Sequence, residues 1–180
     1  TGFMAGFAAC GIGLAGKRTV LIGAGGAARA ALWGLLRSGV SSVCIGVRNL
    51  AKGKALCTDF AADGTLAVYC FDDPHFRDVL CTADIVVQTT PIGMSPQTDA
   101  MPPVDPAAIS PSAAVYDLIY TPAETAFLRA AAAHGCTTIN GETMLVMQGA
   151  EAFSLWTGVR PNTDLMQRVL REELARREGA

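Results

Sequence analysis

Short runs of apolar, β-branched residues that end at glycine alternate along this chain with stretches whose apolar positions recur at helical spacing. Val20, Leu21 and Ile22 form one such run and stop directly at Gly23, the pattern of a strand buried on both faces that ends at a tight turn. Residues 27–37, rich in Ala and Leu, read as the helix that follows, and residues 42–47 as a second strand. Helices are then expected over 50–62 and 74–81 and strands over 66–71 and 83–88, the first helix and strand separated by Asp63 and Gly64. Five prolines between 95 and 112 mark a long loop. A fifth strand is expected over 113–118, a helix ending at 133 with Gly135 as its cap, a sixth strand over 136–139, and helices over 142–156 and 162–176. Residues 1–12, with Phe3, Met4, Phe7 and Ala8 at helical steps, read as a further helix at the start. Strands alternating with helices predict an α/β fold, a doubly wound, Rossmann-like parallel sheet, as a single domain over residues 1–180.

The first turn carries the most informative chemistry. Gly23, Gly25 and Ala28 fit G-x-G-x-x-[G/A] between a strand and a helix. In that pattern the first glycine permits the turn, the second lets the backbone approach a phosphate, and the small third residue lets helix pack on strand. Gly25 is expected to need either a positive φ or room for such an approach. A helix N-terminus with exposed N–H groups suits a pyrophosphate. An NAD site would place an acid near the end of the second strand, but the sequence there is Gly46-Val47-Arg48-Asn49. Arg48, with Lys52 one helical turn on, offers cations where a 2′-phosphate would lie, which favours NADP over NAD.

Composition then narrows the classes. Half the residues are hydrophobic (51%) and 17% are charged, enough apolar material for one sizeable core. The net charge of −2 leaves no basic field for nucleic acid, and the basic residues near the C-terminus are interleaved with Glu172, Glu173 and Glu178. No unbroken apolar run reaches the 18 or so residues of a membrane span. Six cysteines without a C-x-x-C pair, set mostly among apolar neighbours, read as buried thiols of a cytoplasmic protein rather than disulfides or metal ligands. His75 and His134 suggest no catalytic role, and Asp117 and Glu142 are a candidate structural pair.

Four motifs in order carry a resemblance. V-L-I-G-A-G-G-A-A-R-A at the first turn, V-V-Q-T-T-P-I-G-M after the fourth strand, Y-D-L-I-Y-T-P-A-E-T after the fifth and G-E-T-M-L-V-M-Q-G-A-E-A-F-S-L-W-T-G near the end, together with V-R-N at the second strand, resemble the C-terminal NADP-binding domain of shikimate dehydrogenases and of the similar quinate/shikimate dehydrogenases. The resemblance covers nearly the whole chain.

It implies a role for individual positions. Gly23, Ala24, Gly25, Gly26 and Ala27 fall on the loop that holds the pyrophosphate, and Arg48, Asn49 and Lys52 on the segment that holds the 2′-phosphate, with Val47 and Asn49 standing where the family usually has Asn and Thr. Thr89, Thr90 and Met94 match the segment beside the nicotinamide ribose, where Gln88 departs from a common Asn. Tyr120, Gly141 and Met144 correspond to the nicotinamide pocket, Tyr120 at its substrate side, and Gln148 to a contact with substrate. The implied reaction is the reversible reduction of 3-dehydroshikimate to shikimate, in aromatic amino-acid biosynthesis. The family's catalytic Lys and Asp belong to an N-terminal substrate domain, and neither matches a position here, so the chain is expected to begin just past that domain. Quinate specificity, a homodimer and a dinucleotide-binding module without chemistry of its own remain open alternatives.

Overall fold

Each apolar run enters the same sheet. The computed structural model describes residues 2–178, in the order α1 (Gly2–Ala9), β1 (Arg18–Ile22), α2 (Gly26–Arg37), β2 (Ser42–Val47), α3 (Leu50–Asp59), β3 (Leu66–Cys70), α4 (Pro74–Thr82), β4 (Ile85–Gln88), β5 (Ala114–Asp117), α5 (Ala126–Ala133), β6 (Thr137–Ile139), α6 (Glu142–Thr157) and α7 (Thr163–Glu178). A single 3₁₀ turn, Pro106–Ala108, interrupts the proline-bearing loop. The six strands are parallel and lie side by side as β3-β2-β1-β4-β5-β6. This is the doubly wound order, in which the chain reverses its direction of growth between β1 and β4 and opens a crevice at the carboxyl ends of the strands.

Successive strand side chains point to opposite faces, so the sheet carries two cores. Leu21, Ile45, Val87 and Tyr116 face Phe3 and Phe7 of α1 and Leu32 and Leu35 of α2. Val20, Ile22, Val86 and Val115 face Phe76 and Leu80 of α4 and Phe127 of α5. The register sets Ile22 beside both Gly46 and Gln88, and Gln88 beside Asp117. The last residues of β1, β4 and β5 and the penultimate residue of β2 therefore share one edge.

The elements agree with the periodicity, with differences at their ends. The first helix stops at Ala9 rather than at residue 12, where Gly11 at φ +67° turns the chain, and Thr1 lies outside the described residues. The third helix ends at Asp59 because Phe60 and Asp63 already hydrogen-bond three residues back, to Cys57 and Phe60. His134 caps α5, with Gly135 at φ +101° just beyond. The cysteines need correction: Cys44 and Cys136 are buried, but Cys10 and Cys81 are exposed. Cys10 follows the last turn of α1, and Cys81 sits on the outer side of a helix whose Phe76 and Leu80 turn inward. Burial lifts the Cys44 thiol to about 12, which leaves it protonated and inert at neutral pH.

Candidate functional site

The loop after β1 is built by glycine, with the division of roles its spacing suggests: Gly23 makes the turn and Gly25 leaves room. Gly23 has φ +109°, a conformation that costs an L-residue with a side chain, and a Cβ there would lie 2.8 Å from the Thr89 hydroxyl and 2.9 Å from the Thr90 methyl. The Thr89 hydroxyl in turn donates to the Ile22 carbonyl at 2.6 Å, so the loops after β1 and β4 are packed on each other. Gly25, by contrast, is extended (φ −90°, ψ −168°) and needs no left-handed turn. What it supplies is space: a Cβ at Gly25 or Gly26 would meet nothing within 4 Å. Asn49, Asp73 and Thr125 cap α3, α4 and α5 with their side chains, whereas α2 begins at Gly25 with no side-chain cap. Its first N–H groups are therefore left for another acceptor.

A cleft of about 260 Å³ opens beside this loop. Gly23, Ala24 and Gly25 form one side, and Arg48, Asn49 and Lys52 the other. Thr90, Pro91 and Ile92 border it from the β4 loop, and Val47 and Phe71 close it. Among the described residues neither Arg48 nor Lys52 forms an ion pair, and no acid lines the cleft. Asn49 spends its side-chain oxygen on the backbone N–H of Lys52 at 3.1 Å, which caps α3 and sets the position of the two cations. Phe71 was not expected here. It follows β3 at the carboxyl edge of the sheet, where ligands of this architecture bind, and that position was the signal that pointed to it.

A second cleft, of about 450 Å³, lies between the loops after β4 and β5. Thr89, Thr90, Met94 and Ser95 line one wall, and Ile119, Tyr120 and Thr121 the other. The walls are tied together, since the Ser95 N–H donates to the Thr121 carbonyl at 3.1 Å. Each wall is also held from below by a buried polar side chain. Gln88 accepts from the Thr90 N–H at 2.8 Å and donates to the carbonyls of Thr90 and Ile92 at 3.2 and 3.0 Å. Asp117 accepts from the Ile119 N–H at 3.1 Å and from the Thr125 hydroxyl at 2.8 Å. Burial outweighs those two bonds and lifts the Asp117 carboxyl to about 6. Neither residue was marked for this work by its sequence context.

The remaining positions lie around these clefts. The Gly141 N–H donates to the Ile119 carbonyl at 2.9 Å, and any side chain at 141 would run into the Leu118 carbonyl, so this glycine braces the second wall from behind. Met144 lines neither cleft and packs, half-buried, on the core face that holds Tyr116. Gly26 and Gln148 border a third groove, between α1, α2 and α6, together with Phe3 and Trp33, while Ala27 is exposed and lines none of the three. Asp117 and Glu142 do not pair. Asp117 is taken up as described, and Glu142, largely buried, binds the Arg171 guanidinium at 2.8 Å. No group of three His, Cys, Asp or Glu among the described residues is arranged to hold a metal ion.

Comparison with known proteins adds to this geometry. The family model described as shikimate / quinate 5-dehydrogenase matches residues 8–94, and that of the shikimate 5′-dehydrogenase C-terminal domain matches residues 141–171. An NADP(+) shikimate dehydrogenase of Moorella thermoacetica is 40% identical, over 99% of this chain and 61% of that protein. Shikimate 5-dehydrogenase of Listeria monocytogenes, solved in complex with shikimate and NAD, superimposes with a TM-score of 0.86 at 27% identity, over 94% of this chain and 61% of that one. The ligand-free 5-ketofructose reductase of a Gluconobacter strain gives a TM-score of 0.82 at 32% identity, over 95% and 61%. The chain thus spans about three fifths of the length of these relatives.

Proposed function

We propose, from the premise that this chain belongs to the shikimate dehydrogenase family, that it is the NADP-binding part of an enzyme that reversibly reduces 3-dehydroshikimate to shikimate. One observation carries the cofactor choice: two cations without carboxylate partners among the described residues, Arg48 and Lys52, stand across a cleft from an open glycine loop. An NAD site would set a carboxylate at the end of β2 to bind the ribose hydroxyls, and a carboxylate there would repel a 2′-phosphate.

The residues fit the dinucleotide. Arg48 and Lys52 would hold the 2′-phosphate and Phe71 and Ile92 the adenine. The uncapped start of α2 and the bare backbone of Gly25 and Gly26 would hold the pyrophosphate. Thr89, Thr90 and Met94 would lie along the nicotinamide ribose, and Tyr120 would border the ring. When bound, this cofactor supplies or accepts the hydride. The protein's task in this half is to orient the ring and exclude water from it, which the tied walls of the second cleft support.

The proton is a separate matter. Asp117, the acid beside the second cleft, is buried and already engaged by Ile119 and Thr125, so it is poorly placed to exchange a proton with a substrate carbonyl. That supports a Lys and an Asp from an upstream substrate domain, as in the family. Two features fit such a domain. Gly2 packs directly against Met144 and Gln148, so upstream polypeptide would enter beside the residue expected to touch substrate, and Leu155 and Trp156 leave 84% of their surface exposed on the same helix. The similarity to 5-ketofructose reductase supports a second reading, in which the same cofactor half serves another polyhydroxy carbonyl substrate. Titration of the chain with NADPH and NADH, followed by nicotinamide fluorescence, tests the cofactor assignment: tighter binding of NADPH is expected, and equal affinity would overturn it.

A further inference from the structure

Asp117 is the last residue of β5 and is fully buried. Its two carboxylate oxygens receive donors from opposite ends of one turn: the Ile119 N–H at 3.1 Å, two residues on, and the Thr125 hydroxyl at 2.8 Å, eight residues on. The Thr125 oxygen also accepts the Leu128 N–H at 3.2 Å, which starts α5. The chain from 118 to 125 thus leaves Asp117 and returns to it, and between the two anchors stand Tyr120 and Thr121, which form the far wall of the second cleft. Other elements then fix this wall from the sides, through Gly141 to Ile119, Ser95 to Thr121, and the Asn140 side chain to the Ala123 carbonyl at 3.0 Å.

We infer that Asp117, acting through Thr125, is a positioning residue for the nicotinamide end of the cofactor site, holding the turn that carries Tyr120 in the arrangement that lines the second cleft. The inference rests on the cofactor reading above. A carboxylate suits this post because two donors converge on it in a dry site. An amide offers one acceptor oxygen and an aliphatic side chain offers none, which would leave the Ile119 N–H or the Thr125 hydroxyl unpaired. Stability alone would favour an apolar residue of similar size, since burying a carboxylate costs more than packing Leu. The acid earns its place by geometry. It does not reach the first cleft, whose boundaries come from the loops after β1, β2, β3 and β4.

That separation sets the experiment. Adenosine 2′,5′-bisphosphate carries the adenosine and the 2′-phosphate but no nicotinamide, so it reads the first cleft alone, whereas NADPH reads both. Thr125→Val removes the hydroxyl at nearly constant volume and is expected to weaken NADPH about tenfold, as loss of one charge-assisted hydrogen bond would, with the bisphosphate bound as in the wild type. Thr125→Ser, which keeps the hydroxyl, is expected to restore NADPH binding. Asp117→Leu should act in the same direction more strongly, and if it does not fold, the Thr125 pair decides. Unchanged NADPH affinity in Thr125→Val, or equal loss of both ligands, overturns the positioning role. A wild-type chain that binds neither ligand overturns the cofactor reading itself, and the inference with it.

Discussion

Arg48 extends from the end of β2 into the first cleft with no carboxylate to neutralise it among the described residues, and a 2′-phosphate is the anion whose presence separates NADP from NAD. Arg48→Ala is therefore expected to weaken NADPH by about 1.5–3 kcal/mol and leave NADH nearly unchanged, because only the charge-assisted contacts disappear. Paired titrations of the two cofactors check this, and equal losses would show that Arg48 does not read the phosphate. Asp117 gives a second residue-scale prediction. Its carboxyl is raised from 3.8 to about 6 by burial, so the folded chain holds this proton more tightly than the unfolded one. The stabilisation from the neutral form is complete below pH 3.8 and is lost as pH rises through about 6, a change of about 3 kcal/mol by neutral pH. Urea denaturation between pH 4 and 7 should show this slope in the wild type and a flatter one in Asp117→Asn. Parallel curves would refute the assignment.

Two elements meet tightly enough for their contacts to be tested directly. At the β1–α2 turn, Gly23 combines φ +109° with contact against Thr89 and Thr90, while Gly25 has ordinary backbone angles and open surroundings. Gly23→Ala is expected to cost roughly 1–3 kcal/mol of stability from strain alone. Gly25→Val should fold normally and lose dinucleotide binding, since its branched side chain would stand where the pyrophosphate backbone passes. Circular dichroism with an NADPH titration separates the two outcomes, and a folded Gly25→Val that binds at wild-type strength would show the loop to be structural only. Where α1 crosses β5, the Tyr116 ring stacks on Phe3 at 5.3 Å and meets Phe7 edge-on at 5.1 Å. Its hydroxyl is buried with no hydrogen-bond partner among the described residues. Tyr116→Phe removes that unpaired group and should stabilise the chain by about 1 kcal/mol, read as a higher thermal midpoint. A lower midpoint would mean that the hydroxyl has a partner.

For the molecule as a whole, the expectation is binding without turnover. On the proposed reading the clefts at the carboxyl edge orient a cofactor, but no Lys, His, Asp or Glu among the described residues lines the second cleft to exchange the substrate proton. General acid–base help is worth about 10²–10⁴-fold, and orientation of the second reactant about 7–11 kcal/mol. Residues 1–180 alone should therefore bind NADPH and leave 3-dehydroshikimate unreduced when followed at 340 nm. Activity should appear when an upstream substrate domain is attached, and Gln148→Ala should then raise KM more than it lowers kcat. Robust turnover by this chain alone would move the catalytic acid into it.

The sequence by itself determined the sheet, its helices, the glycine loop and the cations across from it. The reason is that these are local facts. A strand buried on both faces is written as an unbroken apolar run, as in Val20 to Ile22, a helix as a 3.6-residue period, and the cation that replaces an acid sits at a fixed step after β2. Only the tertiary structure decided which loops meet. Thr90 borders both clefts because the register sets Gln88 beside Ile22, and Asp117 anchors the Tyr120 turn because β5 pairs with β4 at Gln88. Phe71 entered the first cleft for the same reason, from the end of β3. Cys10 and Cys81 stayed exposed although their neighbours are apolar, and of the two roles open to Gly25 the structure gives it room for close approach rather than a positive φ. Such facts depend on contacts between segments far apart in the chain, and periodicity read along one segment carries no information about what lies across from it.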